Sequence, residues 1–300
     1  MTRAYPKTFQ SASSLVALLQ ERGLIINDIS KAQSYLSSIG YFRLSAYCYP
    51  FLEIPKENHR YKPNSHFEKV LDLYRFDKKL RLLVFNEVEK IEVAIRSVMV
   101  NAACQQLNDA FWITQRKYFS NAVFFDRSIS DINSELSRSK EDFVVHFKSN
   151  YSDDYPPAWM LIEILSLGSI CKIYKNIKDL ALKKKIARHF GLHFAVFESW
   201  IMTIAGLRNI CCHHGRLWNR VLLLRTTLPQ KTAFPWLQDA ARIDVQRVYF
   251  RLCMIQYLLF SISPNNTFKE KLVNLLNSYP NVDISAMGFP SDWQEESLWN

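Results

Sequence analysis

The chain has 300 residues, of which 48% are hydrophobic and 14% aromatic, which excludes a disordered chain and allows a sizeable core. The formal net charge of +10 favours a polyanionic partner, with ordinary surface lysine as the alternative. Only seven glycines are present, so the composition favours helices over a sheet with many tight turns.

Helical patterns follow one another in chain order. Ser13 and Ser14 are predicted to cap a helix that runs to Arg22, and Asp28 to start a second helix that stops at Gly40. Apolar residues then recur at steps of three and four from about residue 66 to 106, which predicts one long helix. Asp77 interrupts its apolar stripe, and we expect a buried partner such as an arginine. Further helices are predicted over about 120–148, 158–178, 179–190, 193–213, 243–261 and 267–278.

The fold class predicted from these patterns is all-α, because no segment alternates with period two and no Asn-Gly or Asp-Gly hairpin signal occurs. We expect an N-terminal helical appendage over residues 1–60, a helical bundle over 61–280 and an irregular tail over 281–300. In the tail, Trp293 and Trp299 are candidate anchors.

The six cysteines form no CxxC pair and stand mostly in apolar surroundings, which predicts reduced, buried thiols in a cytoplasmic protein. The first residues hold no apolar segment typical of a secretory signal, and no run of about 18 apolar residues predicts a membrane-spanning helix. We therefore expect no membrane partner.

The densest group of phosphate-binding and proton-transferring side chains lies between residues 207 and 220, with Arg208, His213, His214 and Arg216 within nine positions. An Arg-x4-His spacing alone is weak, because 18 arginines and 7 histidines give about 0.4 chance matches. A second match, Arg188 to His193, follows a lysine run and is interpreted as a solvated basic turn. Requiring Asn209 after the arginine lowers the chance expectation to about 0.03.

The helical phase places Arg208 in line with Phe197, Ile201, Ile204 and Cys211, where a core or interface residue belongs. A charge there must be paired or must serve a ligand. Two interpretations therefore stay open: an ion pair with a buried carboxylate such as Glu92 or Glu163, or phosphate binding. The spacing does not decide which of the two neighbouring histidines acts with it.

No metal or other cofactor is predicted. Four adjacent residues, Cys211 to His214, cannot close a tetrahedral metal site without severe backbone distortion, and no spaced CxxC or HExxH pattern accompanies them. GxSxG, Walker A and GxGxxG patterns are also absent from the sequence. The lysine-rich segment 172–189, with Lys183, Lys184 and Lys185, is a candidate for tracking a phosphate backbone or a plain solvated face.

Four blocks of sequence resemble the Abi-like abortive-infection proteins of the AbiD/AbiF type, a branch of the HEPN superfamily. They are residues 38–47, residues 77–96, Pro157–Met160 with Glu163 and Gly168, and residues 207–220. Cys212 stands where alanine is expected. The resemblance implies a HEPN-like helical bundle and a metal-independent endoribonuclease toxin in antiviral defence, with Arg208, Asn209 and His213 as catalytic residues.

A motif with one well-placed histidine predicts a homodimer that apposes two motifs, which is also the arrangement the resemblance implies. RNA is the expected substrate, and His214, Arg216, Arg220 and the three lysines are candidate RNA contacts or supporting residues. The alternative is a non-catalytic RNA-binding HEPN protein that associates with a structured noncoding RNA. A third interpretation leaves Arg208 in a purely structural ion pair.

Overall fold

The computed structural model describes residues 8–300, and within them every regular element is helical. Residues 8–300 contain twelve α-helices, and in that range backbone pairing between extended residues is limited to isolated bridges. The all-α prediction is confirmed. Residue contacts divide the described chain into two compact units, one of residues up to Leu80 with 275–282, and one of 81–274 with 283–300. The unit boundary therefore falls inside a helix, whereas the sequence pattern placed a division near residue 60.

The first unit contains three short helices and the start of a long one. They are α1 (Ala12–Glu21), α2 (Ile29–Ile39), α3 (Tyr41–Cys48) and the first part of α4 (Phe67–Leu107). Ser11, and not Ser13 or Ser14, caps α1 by accepting a hydrogen bond from the Ser14 amide. Asp28 caps α2 as predicted. Gly40 adopts a φ of +86° and turns the chain from α2 into α3.

The long helix α4 has 41 residues, and the residues of its predicted apolar stripe are buried, with the exception of Val98, which is partly exposed. These buried positions are Val70, Leu73, Leu80, Val84, Val88, Ile91, Ile95 and Ala102. Asp77 is fully buried within this stripe, and the Tyr47 hydroxyl donates a hydrogen bond of 2.5 Å to it. A buried carboxylate needs such a partner, since water does not reach it.

The second unit holds the remainder of α4 and the later helices. They are α5 (Ala122–Arg138), α6 (Asp142–Asn150), α7 (Ala158–Ile164), α8 (Leu167–Asn176), α9 (Leu180–His189), α10 (Phe194–Cys212), α11 (Val248–Ile262) and α12 (Phe268–Asn277), whose last residues belong to the first unit. The single helix predicted over 158–178 is wrong. Ser166 starts a new helix there by accepting a hydrogen bond from the Ser169 amide.

Two helices form the centre of the second unit. Helix α10 packs against α8, α9 and α11. Helix α11 is buried on all sides from Val248 to Leu259, as expected of a helix that is apolar all round. The C-terminal tail forms short 3₁₀ turns, and both predicted anchors, Trp293 and Trp299, are buried. The indole nitrogen of Trp299 donates to the Tyr249 hydroxyl at 3.2 Å.

Within residues 8–300, no single helix is both long enough and apolar enough to cross a membrane.

Candidate functional site

The Arg-x4-His motif lies at the C-terminal end of α10. The helix ends at Cys212, and the backbone then closes with two hydrogen bonds, from His214 to the Cys211 carbonyl and from Gly215 to the Ile210 carbonyl. This is a Schellman ending, in which the residue after the cap takes a left-handed conformation. His214 occupies that position with a φ of +55°, where glycine is the usual residue. The motif therefore spans a helix end, where His213 is the C-cap residue and the chain leaves the helix at His214.

Arg208 is anchored by a carboxylate from α4. Its Nε lies 3.5 Å from Oε2 of Glu92, close enough for an ion pair but without the alignment of a hydrogen bond. The side chain of Arg208 is 37% exposed. Within residues 8–300, no group accepts a hydrogen bond from its two terminal nitrogens. Glu92, one of the two carboxylates considered from the sequence, therefore holds Arg208 without occupying the part of the guanidinium that grips a phosphate.

Glu92 is itself fixed by a second arginine. Arg96, one turn further along α4, donates one hydrogen bond to Oε1 of Glu92 and another to the Ile162 carbonyl of α7. The side chains of Arg96 and Glu92 are only 10% and 13% exposed. Glu92 thus lies between two arginines, and the three side chains connect α4 to α10 through Arg208 and to α7 through the Ile162 carbonyl. Sequence reasoning missed Arg96, although the spacing of Glu92 and Arg96 by four residues on a helix is a detectable ion-pair signal.

Asn209 and His213 present exposed side chains at this helix end. They are four residues apart, and the His213 amide donates a hydrogen bond of 3.0 Å to the Asn209 carbonyl. Neither side chain has a hydrogen-bonding partner in the part of the chain that the structure describes. The amide and the imidazole can therefore both meet a ligand from solvent. Burial is confirmed at the four positions predicted to be in line with Arg208, which are Phe197, Ile201, Ile204 and Cys211.

The two later arginines of the motif region are close to each other. Nη1 of Arg220 donates to the Arg216 carbonyl at 3.3 Å, and it would lie 3.2 Å from a Cβ added at Gly215. Asn219, which has a φ of +51°, accepts a hydrogen bond of 3.0 Å from Arg247. Specific hydrogen bonds therefore hold this turn in place and keep Arg216 and Arg220 beside the end of α10.

Arg251 of α11 holds the segment that follows. It is almost fully buried and donates hydrogen bonds to the Thr226 hydroxyl at 2.5 Å and to the Leu224 carbonyl at 3.0 Å. Burial away from water lowers the pKa of Arg251 to about 10. The predicted apolar pattern of this helix did not mark Arg251, because one charge within a long apolar run carries no periodic signal.

The three adjacent lysines have different surroundings. The amine of Lys183 is largely buried and donates to Glu198 at 2.6 Å and to the Lys175 carbonyl at 3.1 Å. Lys185 donates to the side chain of Gln105 at 2.9 Å. Lys184 is exposed and has no hydrogen-bond or ion-pair partner within the described residues. Lys184 is therefore the member of this run that is most available to an external anion.

The cysteines near the motif are unequal. Cys211 is buried and Cys212 is partly exposed, while His213 and His214 are exposed. Cys171 of α8 is buried, and its burial together with the charge of Glu92 raises the pKa of its thiol to about 12.

Residues 34–219 match the Abi-like protein family, a stretch that covers more than half of the chain and includes Glu92, Arg96 and the motif as far as Asn219. The chain belongs to the Abi-like protein family. Membership of this family indicates a role in abortive infection. The search of curated proteins found no match, and neither did the search of solved structures.

Proposed function

We propose that this Abi-like protein is a metal-independent endoribonuclease toxin of the AbiD/AbiF type, within the HEPN superfamily, that acts in the cytoplasm of an infected cell. The observation that carries the proposal is the state of Arg208. Glu92 anchors the guanidinium at Nε and leaves its terminal nitrogens without partners in residues 8–300, and the exposed side chains of Asn209 and His213 follow within five residues along the chain. A purely structural arginine would instead use its terminal nitrogens within the fold.

The chemistry is cleavage of RNA by its own 2′-hydroxyl. A base takes the proton of the 2′-hydroxyl, the O2′–P bond forms, the P–O5′ bond breaks, and an acid gives a proton to O5′. The products are a 2′,3′-cyclic phosphate and a 5′-hydroxyl. His213 supplies acid–base catalysis, Arg208 stabilises the charge on the phosphate, and Asn209 orients the imidazole or the phosphate.

Base and acid are needed at the same time on opposite sides of the phosphorus, and each motif contributes one well-placed histidine. We therefore assign the complete site to a homodimer in which a two-fold axis brings two motifs together. An exposed apolar segment beside the motif supports this assembly. Leu223 is 78% exposed, and Cδ1 of Leu224 packs so closely on Gly206 that an added Cβ would lie 2.7 Å from it.

Cleavage of total RNA in the presence of EDTA tests the proposal. Arg208→Ala and His213→Ala should each lower the rate by roughly 10²–10⁴-fold, and the wild-type products should carry cyclic phosphate ends. Arg127→Ala and His146→Ala remove the same kinds of exposed side chain outside the motif and should keep the wild-type rate. Wild-type rates in both motif variants, or complete inhibition by EDTA, would contradict the proposal.

The dimer is tested by a charge placed on the apolar segment. Leu223→Glu should give a monomer in light scattering and lose cleavage, whereas Val123→Glu, an exposed position on α5, should leave both unchanged. A fully active monomer would remove the composite site from the proposal.

A non-catalytic RNA-binding role is the second candidate, in which a structured noncoding RNA is the partner. The ion pair of Arg208 with Glu92 favours it, since a guanidinium held in this way also suits static phosphate binding. RNA binding that depends on Arg208 in a protein that never cleaves RNA would identify this function.

A further inference from the structure

A second cationic site lies at the other end of α10. Residues of α9, of the turn into α10 and of the loop around residue 232 line an open pocket of about 360 Å³. Lys184, Arg188 and His193 line it from the helices, and Lys231 lines it from the loop. No carboxylate is among its lining residues. Its volume is within the range of pockets that hold small ligands.

The three permanent charges of this pocket, those of Lys184, Arg188 and Lys231, have no hydrogen-bond or ion-pair partner in the described part of the chain. Lys184 and Arg188 are four residues apart on α9, and like charges at that spacing destabilise a helix. Lys231 adds a third positive charge from a distant segment. Such a cluster without a counter-charge is unfavourable in the free protein and becomes favourable when an anion binds.

The pocket is built by specific contacts. Gly191 has a φ of +66°, and an added Cβ would lie 2.7 Å from the Phe234 ring. Its carbonyl accepts hydrogen bonds from the Tyr257 hydroxyl at 2.8 Å and from the Ala233 amide at 3.2 Å. These contacts tie the loop that carries Lys231 to the turn between α9 and α10. The cations are therefore brought together by the fold.

Further features of the pocket suit a phosphate group. His193 is the N-cap of α10, and both His193 and Phe194 line the pocket, so the positive end of a 19-residue helix opens there. The half-buried ring of Phe194 offers an apolar face beside the charges. The distance along α10 from His193 is roughly 22 Å to Arg208 and roughly 30 Å to His213, at 1.5 Å per residue, so the pocket is separate from the proposed cleavage site.

We propose that this pocket, lined by Lys184, Arg188, His193 and Lys231, binds a backbone phosphate of RNA at a position remote from the cleaved bond. The proposal rests on the proposed function in taking RNA as the ligand. Phosphate is the chemistry that the site recognises, and a free nucleotide is the other source of that chemistry.

RNA binding by a pocket variant, Lys184→Gln/Arg188→Gln/Lys231→Gln, tests the proposal against a control variant, Arg127→Gln/Lys140→Gln/Lys148→Gln. Both variants remove three exposed charges from the same unit. Fluorescence anisotropy with labelled single-stranded RNA is measured over a range of KCl concentrations, with EDTA present and in a His213→Ala background so that the RNA stays intact.

The pocket variant should lower the slope of log K against log salt by about 0.7, the contribution of the one phosphate contact that is lost, and weaken binding by on the order of 5-fold near 0.1 M salt. The control variant should keep the wild-type slope. Equal losses in the two variants would overturn the proposal. Unchanged RNA binding, together with loss of calorimetric AMP binding in the pocket variant, would also overturn it in favour of a nucleotide site.

Loss of RNA binding in the pocket variant supports the phosphate site even if the wild-type protein never cleaves RNA. The cleavage assay therefore tests the proposed function, and the binding assay tests the phosphate site. Cleavage at the wild-type rate with unchanged binding in the pocket variant supports the proposed function and removes the remote site.

Discussion

The interactions of Glu92 allow a structural role of Arg208 to be separated from a functional one by stability measurements. Both arginines that contact Glu92 are changed singly to alanine, in Arg208→Ala and Arg96→Ala. Arg96 is nearly buried and donates hydrogen bonds to Glu92 and to the Ile162 carbonyl. Arg208 is partly exposed and has no aligned hydrogen bond to the same carboxylate.

These differences determine the expected magnitudes. Removing one partner of a buried, hydrogen-bonded ion pair costs about 3–5 kcal/mol, because the remaining charge is left without compensation. A partly exposed pair is worth about 0.2–1 kcal/mol. We expect Arg96→Ala to lower the free energy of unfolding by about 3 kcal/mol and Arg208→Ala by less than about 1 kcal/mol. Arg208→Met keeps most of the apolar stem and isolates the loss of charge.

The assay is urea unfolding followed by far-ultraviolet circular dichroism at one fixed protein concentration, since association of subunits makes apparent stability depend on concentration. If Arg208→Ala and Arg208→Met are both as destabilising as Arg96→Ala, then Arg208 serves the bundle. Loss of cleavage on its removal would in that case carry no information about catalysis.

Three further predictions follow from local geometry and burial. Gly191→Ala should lower the free energy of unfolding by about 2–4 kcal/mol, because Gly191 has a positive φ and an added Cβ would lie 2.7 Å from the Phe234 ring. Gly168→Ala should raise it by about 0.5–1 kcal/mol, because Gly168 is in a helix and an added Cβ would make only an ordinary contact of 3.8 Å with Ser166. Equal effects in urea unfolding would contradict the geometry. Burial raises the thiol pKa of Cys48 to about 11 and of Cys171 to about 12, so iodoacetamide at pH 8 should label Cys212, which is partly exposed, well before either of them, as read by mass spectrometry. The contribution of these buried thiols to stability is fully present below the unfolded thiol pKa of about 8.5 and is lost as pH rises through 11, so the free energy of unfolding should fall above pH 9. Cys171→Ala should reduce the slope of the free energy of unfolding against pH by about 1.4 kcal/mol per pH unit. An unchanged slope would exclude this thiol as a cause.

Much of the helical organisation was predictable because its causes are local. The apolar stripe of α4, the cap at Asp28 and the phase of α10 all depend on residues within a few positions of one another. The exceptions are also local. Ser166 caps α8 from inside an apolar stretch, where no change of pattern marks a helix start. Ser11 caps α1 and is one of several neighbouring serines that could do so.

The sequence by itself determined that the chain is helical, that Arg208 faces inward, and that Asn209 and His213 accompany it at one helix end. Only the tertiary structure decided between Glu92 and Glu163 as the partner of Arg208, added Arg96 to the same carboxylate, and left Lys184 exposed while Lys183 is paired with Glu198. The physical reason is that charges find their partners across packed helices, at distances along the chain that no local pattern encodes. The pocket that joins Lys231 to α9 depends on the same long-range packing.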